Sequence, residues 1–162
     1  MQLNTIILSY LKSFKKKIIF SDHSNSYNGH EFLEKILNYK KKLNLLWKNS
    51  KNKGVVIILD RDVDYIAVIF ASWLAGGYYV PLSTESNNSN IKKYTKISKA
   101  SLLVKKINNK ITFQKLNAKQ SNNLIQKKLA YIIFTSGSTG DKKGVCISRN
   151  NLIQYYSSIK KL

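Results

Sequence analysis

Cysteine, proline and acidic residues are scarce in this sequence of 162 residues, which has one Cys, one Pro and eight Asp and Glu in total. The single cysteine, Cys146, excludes an intramolecular disulfide and any metal site built from several thiolates. Because Cys146 stands among apolar residues of a predicted strand, we expect its side chain to be buried. None of the few carboxylates has the spacing of a metal ligand, so we predict no metal-binding residue in this chain.

Long apolar runs are also absent. No stretch approaches the roughly 20 residues that a membrane-spanning helix needs. The opening segment, MQLNTIILSYLKSFKKK, is not a secretion signal, because its charges follow the apolar part and no small-residue cleavage site appears. Its apolar residues instead recur at helical spacing. We therefore expect a cytoplasmic protein with no membrane span, forming a single domain or part of a larger one.

Positive charge dominates the composition, with 28 Lys and Arg and a formal net charge of +20. Such an excess attracts polyanions, so a basic nucleic-acid-binding module is one hypothesis. The lysines are spread along the whole chain, however, and do not form one stripe. Lys, Asn, Ile, Tyr and Phe are all abundant, and these residues can be encoded with A and T alone, so a base-composition bias explains the excess. We expect non-specific attraction and no specific nucleic-acid partner.

Apolar periodicity alternates between that of strands and that of helices along the chain. The segment Gly54–Leu59 is a β-branched run typical of a strand buried on both faces. The next segment, Tyr65–Ala75, is apolar nearly all round and predicts a buried helix, which Gly76 and Gly77 end. Further strands are predicted at 17–20, 78–82, 101–104, 111–113, 131–134 and 144–148, and further helices around 3–14, 32–47 and 91–99. This alternation predicts an α/β fold with a mostly parallel sheet covered on both faces.

Three acidic residues, Asp60, Asp62 and Asp64, alternate like the start of a calcium loop. The sixth position is Tyr65 and not Gly, and the twelfth is Ala71 and not Glu, so this interpretation fails. Their place directly before an apolar helix predicts N-capping and a favourable interaction with the helix dipole. Two histidines, His23 and His30, lie in or beside polar turns, and we expect both to be solvated.

The stretch YIIFTSGSTGDKKGVCIS, residues 131–148, has the composition of a phosphate-binding loop between two strands. Gly137, Gly140 and Gly144 allow backbone N–H groups to approach a ligand closely. The hydroxyl-bearing residues before and between them, Thr135, Ser136, Ser138 and Thr139, add donors, and Lys142 and Lys143 add positive charge for a phosphate. It is not the common nucleotide P-loop, because the Gly-x-x-x-x-Gly-Lys-Ser/Thr spacing is absent and a strand follows.

This stretch closely resembles the signature of the AMP-forming adenylate synthetases, Tyr-x-x-Tyr/Phe-Thr-Ser-Gly-Ser/Thr-Thr-Gly-x-Pro-Lys-Gly-Val. These enzymes include acyl-CoA synthetases, luciferases and the adenylation domains of nonribosomal peptide synthetases. A second segment, Trp73–Leu82 (WLAGGYYVPL), resembles the Leu-Lys-Ala-Gly-x-Ala-Tyr-Val-Pro-Leu/Ile stretch that precedes the loop in that family. Two positions depart from the family pattern: Lys142 replaces a proline, and Arg149 replaces a histidine that many members carry near the acyl pocket.

The resemblance implies an enzyme that uses ATP with Mg²⁺ to activate a carboxylic acid, an amino acid or a fatty acid, as an acyl-adenylate. The acyl group then passes to CoA or to the phosphopantetheine of a carrier protein. The loop would hold the β- and γ-phosphates while negative charge builds on the leaving pyrophosphate. The cofactor-binding residues that the resemblance implies are Thr135, Ser136, Gly137, Ser138, Thr139, Gly140, Lys143 and Gly144; no catalytic residue is assigned.

In that family the residues for adenine, ribose and magnesium, most of the acyl pocket and the lysine of a C-terminal lid domain come later in the chain. We therefore expect residues 1–162 to be an incomplete N-terminal portion of an AMP-binding domain, inactive alone. Three hypotheses remain: a ligase cut short, one chain of a split ligase, and the basic nucleic-acid-binding module. Expected results for the isolated chain are weak or no stabilisation by ATP and no carboxylate-dependent pyrophosphate exchange.

Overall fold

The computed structural model describes residues 2–21, 25–116, 128–135 and 143–159. Five helices and eight strands follow one another in these ranges. They are α1 Leu3–Ser13, β1 Ile18–Ser21, β2 Ser26–Asn28, α2 Gly29–Leu46, β3 Gly54–Ile58, α3 Val63–Leu74, β4 Tyr78–Pro81, α4 Asn88–Ser98, β5 Leu102–Ile107, β6 Lys110–Lys115, β7 Leu129–Thr135, β8 Lys143–Ser148 and α5 Arg149–Ile159. Two of these elements were not predicted: β2, which has three residues and no apolar pattern, and α5, none of whose residues is buried.

The main sheet has six strands in the order β6-β5-β3-β4-β7-β8. Its four inner strands are parallel, and β6 and β8 pair antiparallel at the two edges. The strands β1 and β2 form a separate antiparallel pair. The predicted α/β fold with a mostly parallel sheet is therefore confirmed.

Helices cover the sheet on both faces, and the strand residues alternate between two cores. Val55, Ile57 and Val104 face α1, α2 and α3. Val56 and Ile58 face the opposite side, where Ile91 of α4 packs. Every residue of β3 is buried, because this central strand has a covered face on each side.

The acidic residues before α3 have different roles. Asp62 caps the helix, since its carboxylate accepts a hydrogen bond from the Tyr65 backbone N–H at 3.0 Å. Asp64 lies in the first turn, where it accepts from Lys35 Nζ at 2.7 Å and from the Tyr39 hydroxyl at 2.6 Å. The capping prediction is confirmed for Asp62, and Asp64 also ties α3 to α2.

The prediction that Cys146 is buried is wrong, because its side chain is exposed. It lies on β8, an edge strand, and its neighbour Val145 is 45% exposed. An apolar run predicts a strand, but it does not reveal whether another element covers that strand. His30 is exposed as predicted and lies 3.5 Å from Glu34, whereas His23 lies outside the described residues.

Tyr78 is fully buried, and its hydroxyl donates to the Ser98 carbonyl oxygen at 2.6 Å. Its ring lies over Gly54, where an added Cβ would collide with the ring. Desolvation raises the pKa of the Tyr78 phenol, and it also raises the pKa of Tyr39 and of Tyr79. These phenols therefore remain protonated in the folded chain at a pH where they ionise in the unfolded chain.

We expect the free energy of unfolding to fall as pH rises above about 10, the ordinary pKa of tyrosine. A raised folded-state pKa gives stability that is fully present below the unfolded pKa and is lost as pH rises towards the folded one. Urea titrations between about pH 9 and pH 11 would measure the fall, which should be smaller in Tyr78→Phe. If the free energy of unfolding fell equally with pH in the parent chain and in Tyr78→Phe, this role of Tyr78 would be contradicted.

Candidate functional site

The carboxyl ends of the parallel strands β3, β4 and β7 meet at one edge of the sheet. The chain leaves β3 towards α3 on one face and leaves β4 towards α4 on the other face. Adjacent strands whose connections diverge in this way leave a crevice between their carboxyl ends, which is where open α/β sheets bind ligands. A cleft of about 490 Å³ lies there, lined by residues that include Asp60, Arg61, Ser83, Thr84 and Ile133.

The predicted loop follows β7 at this same edge. Strands β7 and β8 form an antiparallel hairpin in which Thr135 is paired with Lys143. The two predicted site residues that flank the loop thus face each other, and both are exposed. The predicted residues Ser136, Gly137, Ser138, Thr139 and Gly140 lie outside the described residues, as does Lys142.

Gly144 has a packing role in the hairpin. An added Cβ would lie 3.2 Å from the Phe134 ring and 3.3 Å from the Ile132 side chain. The Phe134 ring in turn packs on Tyr94 of α4, with ring centroids 4.4 Å apart. The glycine thus lets an aromatic side chain on β7 cover β8 and reach a helix, while its predicted ligand contact stays a prediction.

Several cationic side chains lie at this edge in the described ranges. Arg61 lines the cleft, Lys143 begins β8, and Lys105 and Lys106 lie towards the carboxyl end of β5, where Lys105 is paired with Ile58. Within the ranges that the structure covers, no three His, Cys, Asp or Glu side chains group closely enough to hold a metal ion. The described part of the edge therefore favours an anion, with Asp60 as the acidic residue in the cleft.

Sequence reasoning missed two side chains at the other end of the hairpin. The Trp73 indole donates from Nε1 to the Ala130 carbonyl oxygen at 2.9 Å. The Arg149 guanidinium donates from Nη2 to the carbonyl oxygens of Trp73 at 3.0 Å and Gly77 at 2.7 Å. Desolvation lowers the pKa of Arg149 from its ordinary value, yet a guanidinium stays charged. A sequence signal was present for Arg149 alone, which departs from the family pattern.

An open α/β sheet with a cleft at the carboxyl ends of its parallel strands belongs to a class of folds that bind ligands at this edge. The model of the family described as AMP-binding enzyme matches residues 11–162, and the chain belongs to this family. The dapdiamide synthesis protein DdaD of Enterobacter agglomerans is 30% identical over 159 residues, which are 96% of this chain and 27% of that protein. Bacitracin synthase 2 of Bacillus licheniformis is 29% identical over 119 residues, or 66% of this chain and 5% of that protein.

Solved structures agree on the fold. VinN superposes with a TM-score of 0.78 at 16% identity, covering 99% of this chain and 49% of that one. The Klebsiella oxytoca NpsA N-terminal subdomain, solved in complex with 3-hydroxyanthranilyl-AMSN, has a TM-score of 0.69 at 18% identity, covering 91% of this chain and 40% of that one. The chain thus spans about a quarter of DdaD and about half of the VinN structure. In the part of the chain that the structure describes, no helix is long and apolar enough to cross a membrane.

Proposed function

We propose that residues 1–162 are the N-terminal portion of the adenylation domain of an ATP-dependent, AMP-forming ligase, which activates a carboxylic acid. The acid is an amino acid or a fatty acid, and the acceptor is CoA or a carrier protein's phosphopantetheine. The family match over residues 11–162, which includes the loop between β7 and β8, carries the proposal. The similarity to the nonribosomal peptide synthetase agiA of Aspergillus flavus, which is 29% identical over 126 residues, favours an amino acid.

The chemistry consists of two displacements. A carboxylate oxygen of the acid attacks the α-phosphorus of ATP, the bond from that phosphorus to the bridging oxygen breaks, and pyrophosphate leaves with the electron pair. The thiol then attacks the acyl carbonyl and AMP leaves. This chain's contribution is to the first displacement, where donors placed around the β- and γ-phosphates stabilise the charge that develops on pyrophosphate.

The proposed donors are the residues of the loop and its two flanks. Hydroxyls come from Thr135, Ser136, Ser138 and Thr139, backbone N–H groups from Gly137, Gly140 and Gly144, and the cation from Lys143. The pairing of Thr135 with Lys143 supports this proposal, because it brings a hydroxyl and an ammonium to the same end of the hairpin. In the described ranges no three His, Cys, Asp or Glu side chains group closely enough to hold a metal ion, so none of these described residues is assigned to Mg²⁺.

A fusion enzyme tests the proposal. Residues 1–162 are joined to the part of DdaD that follows its matched segment, and acid-dependent exchange of pyrophosphate into ATP is measured with a panel of amino and fatty acids. We expect no exchange from the isolated chain and clear exchange from the fusion. The DdaD part alone and the intact DdaD domain are the negative and positive controls.

The outcomes test the proposed domain boundaries, the proposed function and the split arrangement separately. Exchange by the isolated chain would show that the domain boundaries proposed for residues 1–162 are wrong. A fusion that unfolds cooperatively, yet gives no exchange while the intact DdaD domain does, would overturn the proposed function. Exchange after mixing the two polypeptides without fusing them would indicate the split arrangement of the same ligase.

A further inference from the structure

The β7–β8 hairpin has a short backbone connection to the rest of the sheet. Strand β4 is paired with β3 at four positions, from Gly54↔Tyr78 to Ile57↔Pro81. Strand β4 is paired with β7 at one, Tyr79↔Tyr131. The described ladder between β4 and β7 is therefore short, although the two strands lie side by side, and side-chain contacts add to the hairpin's attachment.

Two polar side chains add to that attachment at the base of the hairpin, beside the packing of Tyr131 on Tyr79 and of Phe134 on Tyr94. The Trp73 indole holds the Ala130 carbonyl of β7 by a buried hydrogen bond. Arg149 directly follows β8 and donates hydrogen bonds from Nη2 to the Trp73 and Gly77 carbonyl oxygens. Its other terminal nitrogen, Nη1, lies 3.4 Å from Asn4 Oδ1. The end of α3 is thereby linked to both strands of the hairpin, and we call this pair of residues the hairpin clamp.

The chemistry of the clamp suits its place. The Trp73 carbonyl lies in the last turn of α3, where the helix dipole favours a cation, and it also accepts a hydrogen bond from the Gly76 backbone N–H at 3.0 Å. Arg149 places a cation there, and the two N–H groups of its Nη2 donate to the Trp73 and Gly77 carbonyls at once. Arg149 stands where many members of the family carry a histidine, so this part of the clamp is a departure from the family pattern.

We propose that Trp73 and Arg149 are positioning residues that fix the β7–β8 hairpin, and with it the phosphate loop, against α3 and β4. The role rests on the function proposed above. From Ala130 to Thr135 the strand extends about 17 Å at roughly 3.3 Å per residue, so a tilt of about 5° at the base moves the loop by about 1.5 Å. A misplacement of about 1 Å can reduce a rate about 100-fold.

Hydrogen exchange on the full chain, without any ligand, tests the clamp. Arg149→Lys keeps the charge but loses the longer reach of the guanidinium and its second terminal nitrogen, which lies near Asn4. Trp73→Phe keeps an aromatic ring beside Phe70 and Tyr79 while removing the N–H donor. In both variants we expect amides of β7 and β8 to exchange about tenfold faster, with β3 and β5 within about twofold of the parent. Lys41→Ala, at an exposed position of α2, is the matched control. It should change the exchange rates neither of β7 and β8 nor of β3 and β5.

A uniform rise in exchange across all strands would show a general loss of stability and overturn the clamp, as would no rise at all. The DdaD fusion supplies the functional readout. There Arg149→Lys should raise KM for ATP about tenfold and leave KM for the acid unchanged. An equal rise in both KM values would refute positioning of the phosphate loop. A fusion without any exchange would count against the proposed function, while the hydrogen exchange would still decide whether the clamp exists.

Discussion

Gly77→Ala should lower the free energy of unfolding by more than about 3 kcal/mol, which is at the upper end for overpacking. An added Cβ would collide with the Lys53 carbonyl oxygen and with the Trp47 ring. The same Lys53 carbonyl accepts a hydrogen bond from the Tyr78 backbone N–H at 2.9 Å, so relief of the collision would separate β3 from β4 where their ladder begins. Urea denaturation followed by circular dichroism measures the loss.

The preceding glycine is the matched control. Gly76 has φ of 79°, and a Cβ added there would contact nothing within 4 Å. Gly76→Ala therefore places an L side chain in the left-handed region without a collision, which costs about 1–2 kcal/mol. A loss at Gly77 that is no larger than the loss at Gly76 would contradict the close-approach argument.

These two glycines show what the sequence could and could not predict. The pair Gly76 and Gly77 correctly predicted the end of the helix, because a residue after a helix commonly adopts a positive φ. Which glycine has that φ, and which accommodates a neighbouring strand, depends on tertiary contacts between Lys53, Trp47 and the turn. The local sequence therefore predicts where the helix ends, but it does not predict which of the two glycines has the positive φ and which lies against the neighbouring strand.

The same division applies to the whole fold. Alternating periodicities predicted the α/β class and most strands, because each buried strand needs apolar residues regardless of its neighbours. Strand order is not contained in such local patterns. The edge position of β8 exposes Cys146, and the divergence of the chain after β3 and β4 creates the cleft beside Arg61; both follow from strand order.

At the candidate site, the hairpin followed from two apolar runs separated by a Gly- and Ser-rich stretch. The hairpin pairs Thr135 with Lys143, whereas the sequence analysis had placed both residues in one loop. The clamp could not be predicted from the sequence, because the contacts of Trp73 and Arg149 join positions 57 and 76 residues apart. A departure from a family pattern drew attention to Arg149, but only the fold shows that its guanidinium lies against α3.

Lys143→Ala should reduce kcat/KM for ATP about 100-fold in the DdaD fusion, comparable to the loss of one donor from a preorganised anion site. The ammonium at the start of β8 is proposed to stabilise charge that appears on pyrophosphate as the bond to the α-phosphorus breaks. Its effect is therefore larger in the transition state than in bound ATP, and kcat should fall more than KM rises. Initial rates of acid-dependent exchange at varied ATP measure both parameters.

The control must account for the net charge of +20, which attracts any nucleotide without regard to position. Lys96→Ala removes one exposed charge from α4 and should change kcat/KM by no more than about twofold. Lys143→Arg keeps the charge with a different geometry and should recover part of the rate. Equal losses in Lys143→Ala and Lys96→Ala, both abolished by added salt, would mean that Lys143 acts through general attraction alone and would remove it from the proposed site.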